Sequence, residues 1–168
     1  LNSDAIPLYN PIEEYLNSTG HWDGKDRIRA LADLVPCNNP YWRELFYRWF
    51  LSMTAHWQNI DRQHGNNTSP LLVGAQGYRK STFCRILLPP ELRFGYTDSI
   101  DFKSKQDAER SLGRFFLINI DEFDQISVNQ QGFLKHLLQK PVANLRKPYG
   151  TAIQEIRRYA SFIATSNQ

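Results

Sequence analysis

At 168 residues the chain can bury one substantial core, and two full domains of ordinary size would be tight. Hydrophobic residues make up 41% and charged residues 22%, a globular balance that excludes a disordered chain. The net charge of +3 is too small to argue for nucleic acid by itself, so only local clusters of cations carry weight.

Two cysteines, Cys37 and Cys84, lie far apart without metal-ligand spacing and read as buried or incidental thiols of a reducing compartment. No run approaches the roughly twenty apolar residues of a membrane span, and no leader-like segment opens the sequence. A cytoplasmic protein without a membrane partner is expected, and the glycosylation-like tripeptides at Asn17, Asn66 and Asn67 then carry no meaning. His21, His56, His64 and His136 share no ligand spacing, and no Ser/His/Asp or Cys/His arrangement is discernible.

Residues 1–65 read as a helical N-terminal region. Asn10-Pro11-Ile12-Glu13 combines a cap, a first-turn proline and an N3 glutamate. A second helix carries Ile28, Leu31, Leu34 and Val35 on one face and stops at Pro36. In the third, Trp42, Leu45, Phe46, Trp49, Phe50 and Met53 recur at helical spacing. Such a stripe either stacks on bases or packs against the neighbouring domain, and packing is the commoner use. The polar run from His64 to Pro70 is the best internal boundary.

From residue 66 to 168 short apolar runs alternate with helices. Leu71-Leu72-Val73 reads as a buried strand, and Ser81 to Leu88 as a helix ended by Pro89-Pro90. Ser104-Lys105-Gln106-Asp107 opens a helix to about Leu112. Phe115 to Ile120 is a second buried strand. Phe133, Leu134, Leu137 and Leu138 mark a helix stopped by Pro141, and Ser161 to Ala164 is the last strand. This alternation predicts an α/β fold with a largely parallel sheet covered on both faces.

Three segments carry the chemistry. The first, Gly74-Ala75-Gln76-Gly77-Tyr78-Arg79-Lys80-Ser81-Thr82, lies between a strand and a helix. That context suits a phosphate-binding loop, in which backbone N–H groups converge on phosphates with a helix N-terminus behind them. Lys80 would reach the β/γ-phosphates and the Ser81 hydroxyl would ligate magnesium. Glycine usually precedes the lysine, and here Arg79 stands there. A negative φ is expected for Arg79, with its guanidinium pointing to solvent or a phosphate.

The second segment is the apolar run Phe115 to Ile120, ending in Asp121 and Glu122. Two carboxylates at a buried strand end are costly unless they meet a cation. Beside a phosphate loop Asp121 would hold magnesium and Glu122 would act as general base on the attacking water. The third is Ala160 to Asn167, a strand ending in small polar residues and an amide that can orient that water or sense the γ-phosphate. Between the second and third, Lys140, Arg146, Lys147, Arg157 and Arg158 face the single acid Glu155. Roughly alternating residues about Pro148-Tyr149-Gly150 suggest a hairpin with a basic tip. It is either an ordinary solvated hairpin or one whose Arg146, Lys147 and Tyr149 touch phosphates and stack on a base.

In this order the segments resemble superfamily 3 helicases, and more closely the virulence-associated protein E family. The likeness extends to the Gln76-Gly77 pair, the Arg146-Lys147-Pro148-Tyr149-Gly150 segment, and the basic pair ahead of Ala160-Ser161-Phe162-Ile163-Ala164-Thr165-Ser166-Asn167. Tyr15-Leu16 followed by Trp22-Asp23-Gly24-Lys25 is similar to the segment preceding that family's core.

The resemblance implies a primase-associated, DNA-translocating ATPase on an additional-strand, catalytic-glutamate P-loop core of the AAA+-like kind. It implies ATP and Mg2+ as cofactors, single-stranded DNA as partner and a homo-oligomeric ring. Gly74, Gln76, Gly77, Arg79, Lys80, Ser81 and Thr82 then line the ATP site. Ser81 and Asp121 take the metal role, and Glu122 and Asn167 the catalytic and sensor roles. Arg146, Lys147 and Tyr149 fall on the DNA-contacting hairpin. Such cores continue past the sensor strand into another strand and an arginine finger, and no finger is assignable before Gln168. The alternative is a nucleotide-binding, catalytically weak regulatory or assembly module. A small-molecule kinase is disfavoured, because it has no need of a water-polarising glutamate beside the metal aspartate.

Overall fold

The structure is a computed structural model and describes residues 9–146 and 152–167. Three helices come first: α1 (Pro11–Ser18), α2 (Arg27–Ala32) and α3 (Trp42–Trp57). Then follow β1 (Leu71–Val73), α4 (Lys80–Ile86), a 3-10 helix at Pro90–Gly95, β2 (Tyr96–Thr97), α5 (Lys105–Arg114) and β3 (Leu117–Ile120). A 3-10 turn at Phe123–Gln125 leads to α6 (Val128–Gln139), β4 (Val142–Arg146), β5 (Ile153–Arg157) and β6 (Ser161–Ser166).

Local chemistry sets the helix starts. The Asn10 side chain accepts from the N–H groups of Ile12 and Glu13, with Pro11 in the first turn. Ser104 caps α5 by accepting from the Asp107 N–H. Ser127 and Gln130 form a reciprocal capping box on α6, a signal the apolar pattern alone does not reveal. The second helix is shorter than its periodicity suggests. It ends at Ala32, and Leu34 is 65% exposed. Pro36 disfavours a helical Val35, and the chain uncoils through turns ahead of it.

Four strands form a parallel sheet in the order β1-β6-β3-β2, and β4 and β5 form a separate antiparallel hairpin. Every residue of β3 and β6 is buried, as expected of central parallel strands. β1 differs from the expected buried strand. It pairs with β6 at the sheet edge, and only Leu72 is buried while Leu71 and Val73 are exposed. The two-residue β2, parallel to β3, was not legible in the hydrophobic pattern.

Alternation along the strands divides the core in two. One cluster joins Leu72, Leu117 and Ile163 of the sheet to Cys84, Leu87, Leu88 and Leu92, and also to Ile12, Ala32, Phe46, Trp49, Met53 and Trp57 of the N-terminal helices. The aromatic stripe of α3 is therefore packing surface. Phe46 meets Phe83 of α4 at 6.2 Å between ring centroids, and Trp57 Nε1 donates to the Phe116 carbonyl. Leu45 falls outside the stripe and is exposed. The second cluster covers the opposite face with α5, α6 and the hairpin, through Leu112, Leu134, Leu137 and Ala143 against Ile118, Ile120 and Phe162.

The polar run from His64 to Pro70 is pinned rather than loose. Asn66 is buried and donates to Ser161 Oγ and the Trp49 carbonyl, and Ser69 Oγ donates to the Phe162 carbonyl. Gly65 is required there, since a Cβ would lie 2.2 Å from the Leu138 carbonyl oxygen. Among the described residues no helix is long and apolar enough to cross a membrane.

Candidate nucleotide site

The C-terminal ends of β1, β6 and β3 lie side by side, because β6 is inserted between the other two. The residues leaving those ends meet. Out of β1 the chain turns through Gly74, whose N–H donates to the Ser166 carbonyl at the end of β6. It then passes Gly77 at φ +92°, a conformation that favours glycine, and enters α4 at Lys80.

Arg79 corrects the expectation of a negative φ: it stands at φ +56°, ψ 31°. An L-residue in this left-handed region costs about 1–2 kcal/mol. The loop thus takes a backbone path suited to glycine while carrying arginine.

Lys80 Nζ donates to the carbonyls of Gly74 and Ala75 at 2.7 and 3.0 Å and to Asn167 Oδ1 at 2.9 Å. Ser81 Oγ donates to Asp121 Oδ1 at 3.1 Å. The same carboxylate oxygen accepts from Thr165 Oγ1. So one loop and two strand ends bring Lys80 to Asn167 and the adjacent Ser81 to Asp121.

Gln76 and Thr82 are exposed and lie outside this set of bonds. Glu122 follows Asp121 at φ +51° and is also exposed. With Asp98, Asp121, Gln125 and Gln130 it lines a cavity of about 310 Å³ beyond the ends of β2 and β3.

Three residues of this neighbourhood were not singled out from the sequence. Thr165 and Ser166 stand out only as small polar residues ending a strand. Asp124 stands only two positions past Glu122, yet it accepts from Ser166 Oγ at 2.9 Å. Beneath the site, burial and then the charge of Asp121 push the Cys84 thiol up to about 12, so it is an inert packing group. Cys37 is exposed.

Lys140, Arg157 and Arg158 of the basic segment are taken up in packing. Lys140 pairs with Glu109 at 2.6 Å, both side chains only 16% exposed, and Glu109 also accepts from the Asn144 N–H, which fastens the hairpin to α5. Arg157 donates to the Trp57 carbonyl and stacks over Tyr159 at 4.4 Å. Arg158 is buried and donates to the carbonyls of Leu137, Leu138, Lys140 and Ala160, where it satisfies the end of α6. Arg146 is exposed at the end of β4, opposite Ile153. Lys147 and Tyr149, expected at the hairpin tip, lie outside the described residues.

None of the curated proteins matches this sequence. The family model of the virulence-associated protein E-like domain matches residues 16–168, from within α1 through β6 and past it. That span covers nearly the whole chain and all the residues that converge at the ends of β1, β3 and β6. The chain belongs to the virulence-associated protein E-like domain family.

Proposed function

We propose that this domain is a P-loop ATPase of the additional-strand, catalytic-glutamate class, similar to superfamily 3 helicases, which binds ATP with magnesium and couples hydrolysis to DNA. Its setting would be a replication or mobile-element protein that assembles as a ring on single-stranded DNA. The carrying observation is the convergence of Lys80, Ser81, Asp121 and Asn167 through bonds of 2.9 and 3.1 Å. The strand inserted between the loop strand and the Asp-Glu strand adds support.

The donor set suits magnesium held with a nucleotide. Among the described residues there is no group of three or more His, Cys, Asp or Glu that could cage a metal alone. Magnesium characteristically takes one or two protein oxygens and completes its shell with phosphates and water. Ser81 and Asp121 offer one hydroxyl and one carboxylate oxygen already 3.1 Å apart.

Magnesium-bound ATP supplies an electrophilic γ-phosphoryl group. Lys80 would neutralise phosphate oxygens in place of its present carbonyl partners. Glu122, exposed in the lining of that cavity, would accept the proton of the water as its oxygen bonds to the γ-phosphorus and ADP leaves, and Asn167 would orient that water or report the γ-phosphate.

The test is ATP turnover by the full-length protein with and without single-stranded DNA. Turnover stimulated by DNA is expected. Glu122→Gln should abolish it while leaving magnesium–ATP bound, since an amide cannot take the proton. Parent-like turnover in that variant removes Glu122 from the role. A second reading, a nucleotide-binding module of weak turnover, is favoured by the left-handed Arg79. Binding without DNA-stimulated hydrolysis would select it.

A further inference from the structure

The segment from Asp121 to Gln125 grips the end of β6 at two successive residues. Asp121 accepts from Thr165 Oγ1, and Asp124 accepts from Ser166 Oγ at 2.9 Å. Neighbouring residues of a strand point to opposite faces, so the two carboxylates hold β6 from both sides. Backbone pairing holds this end to β1 through Thr165 and Ser166, while pairing with β3 stops at Ala164 and leaves that side to the two carboxylates. Two bonds on opposite faces restrict both rotation and sliding. The next residue is Asn167, whose side-chain oxygen takes the Lys80 ammonium.

Asp124 reaches this position because Glu122 adopts a left-handed conformation and Phe123–Gln125 coils into a 3-10 turn, which brings the chain back over β6. Phe123 packs into the cluster below and fixes the turn. Ser166 is buried, so its hydroxyl needs an acceptor, and Asp124 supplies one.

We infer that Asp124 is a positioning residue which, through Ser166, sets the place and orientation of Asn167 against the phosphate loop. In this role it acts through Ser166 and not on the reacting atoms. The same bonded segment contains Glu122, so the general base and the sensor amide are held to one frame. Hydrogen bonds from Ser166 first, then from Gln125 and backbone N–H groups including that of Asn167, hold the Asp124 carboxyl below the usual carboxylate range, which keeps it an acceptor.

This inference rests on the ATPase reading, and its test separates the two. Full-length protein is compared with Asp124→Ala, Ser166→Ala, both together, and Asp124→Asn, which retains an acceptor oxygen. Turnover at saturating ATP should fall about 10- to 100-fold in each alanine variant, as misplacement of a reacting group does. The double variant should lose no more than Asp124→Ala alone, because the bond from Ser166 is already gone once Asp124 is removed. Affinity for a fluorescent ATP analogue should stay within about twofold, and Asp124→Asn should keep most of the turnover.

A second measurement does not depend on activity. In the nitrogen-15 spectrum of this chain, the Asn167 side-chain amide resonance should move in both alanine variants, and in the double it should lie where Asp124→Ala alone puts it. It should hardly move in Asp124→Asn. An unmoved Asn167 resonance in the alanine variants, or losses that multiply in the double, overturns the inference. If the parent hydrolyses no ATP, the ATPase reading fails and the resonance alone decides the positioning role.

Discussion

The Lys80 ammonium donates to the side-chain oxygen of Asn167 across 2.9 Å, although 87 positions separate the two residues. Parallel pairing of β1 with β6 makes this possible by bringing the loop and the last strand to the same sheet end. The ammonium now bonds to three neutral oxygens. Phosphate would offer charged ones, and charge-assisted bonds are the stronger kind.

Lys80→Ala should therefore weaken ATP binding by about 1.5–3 kcal/mol, or roughly 10- to 150-fold. The fold should stay intact, because Lys80 belongs to neither core cluster. Titration calorimetry reads the first and urea unfolding the second. Equal ATP affinities in variant and parent would end the assignment of Lys80 to phosphate.

Arg79→Gly relieves the left-handed penalty of about 1–2 kcal/mol. Glycine returns about 0.4–1 kcal/mol of that as extra freedom in the unfolded chain. The expected outcome is a variant as stable as the parent or up to about 1.5 kcal/mol more stable. Turnover in the assembled protein should rise several-fold with ATP affinity retained. If turnover falls instead, the guanidinium is a working phosphate ligand.

Alanine at both Arg146 and Lys147 should lower affinity for single-stranded DNA. It should also make the dependence of log affinity on log salt shallower by about one unit or slightly more. Lys140→Ala should leave that slope alone and lower stability, because its partner Glu109 is largely buried and would lose its cation. An unchanged slope in the Arg146/Lys147 variant would place DNA binding elsewhere, or nowhere on this chain.

His56 is buried near the Arg158 guanidinium, and burial first and that charge second hold its pKa down to about 4. The unfolded chain regains an ordinary value near 6.5, so between these two pH values the unfolded state binds more protons. His56 therefore leaves stability intact above about pH 6.5 and erodes it as pH falls towards 4. The urea midpoint should drop across that window by the equivalent of up to about 3 kcal/mol. His56→Gln should flatten this part of the profile, and an equally steep fall in that variant would assign the loss to other groups.

Much of the site was legible because it depends on strand ends. Leu117 to Ile120 and Ser161 to Ser166 are continuous apolar or small runs, and the residues following such runs must gather where parallel strands stop. Asp121 and Asn167 could be placed at one end of the sheet for that reason. Arg79 was misjudged because φ depends on the whole path of the loop, whereas the residue type expresses only its own preference. Asp124 was missed because its partner Ser166 lies 42 positions away and nothing local marks the pair. Arg157 and Arg158 looked like part of a basic surface, since charge in a sequence carries no record of burial. Their partners on Trp57 and Leu137 appear only once α3 and α6 are packed beside this segment.

The cluster that joins Phe46, Trp49 and Met53 to Leu72, Cys84 and Ile163 has a consequence for how the molecule melts. Neither partner in that contact keeps a closed interior once the other leaves: α3 would bare its aromatic stripe, and the sheet one whole face. Burial of each such side chain is worth about 1.5–3 kcal/mol, so separating the layers costs more than a small domain's entire margin of stability. Heating should accordingly produce one calorimetric transition spanning the helices and the sheet, with no plateau at which the first has melted and the second survives.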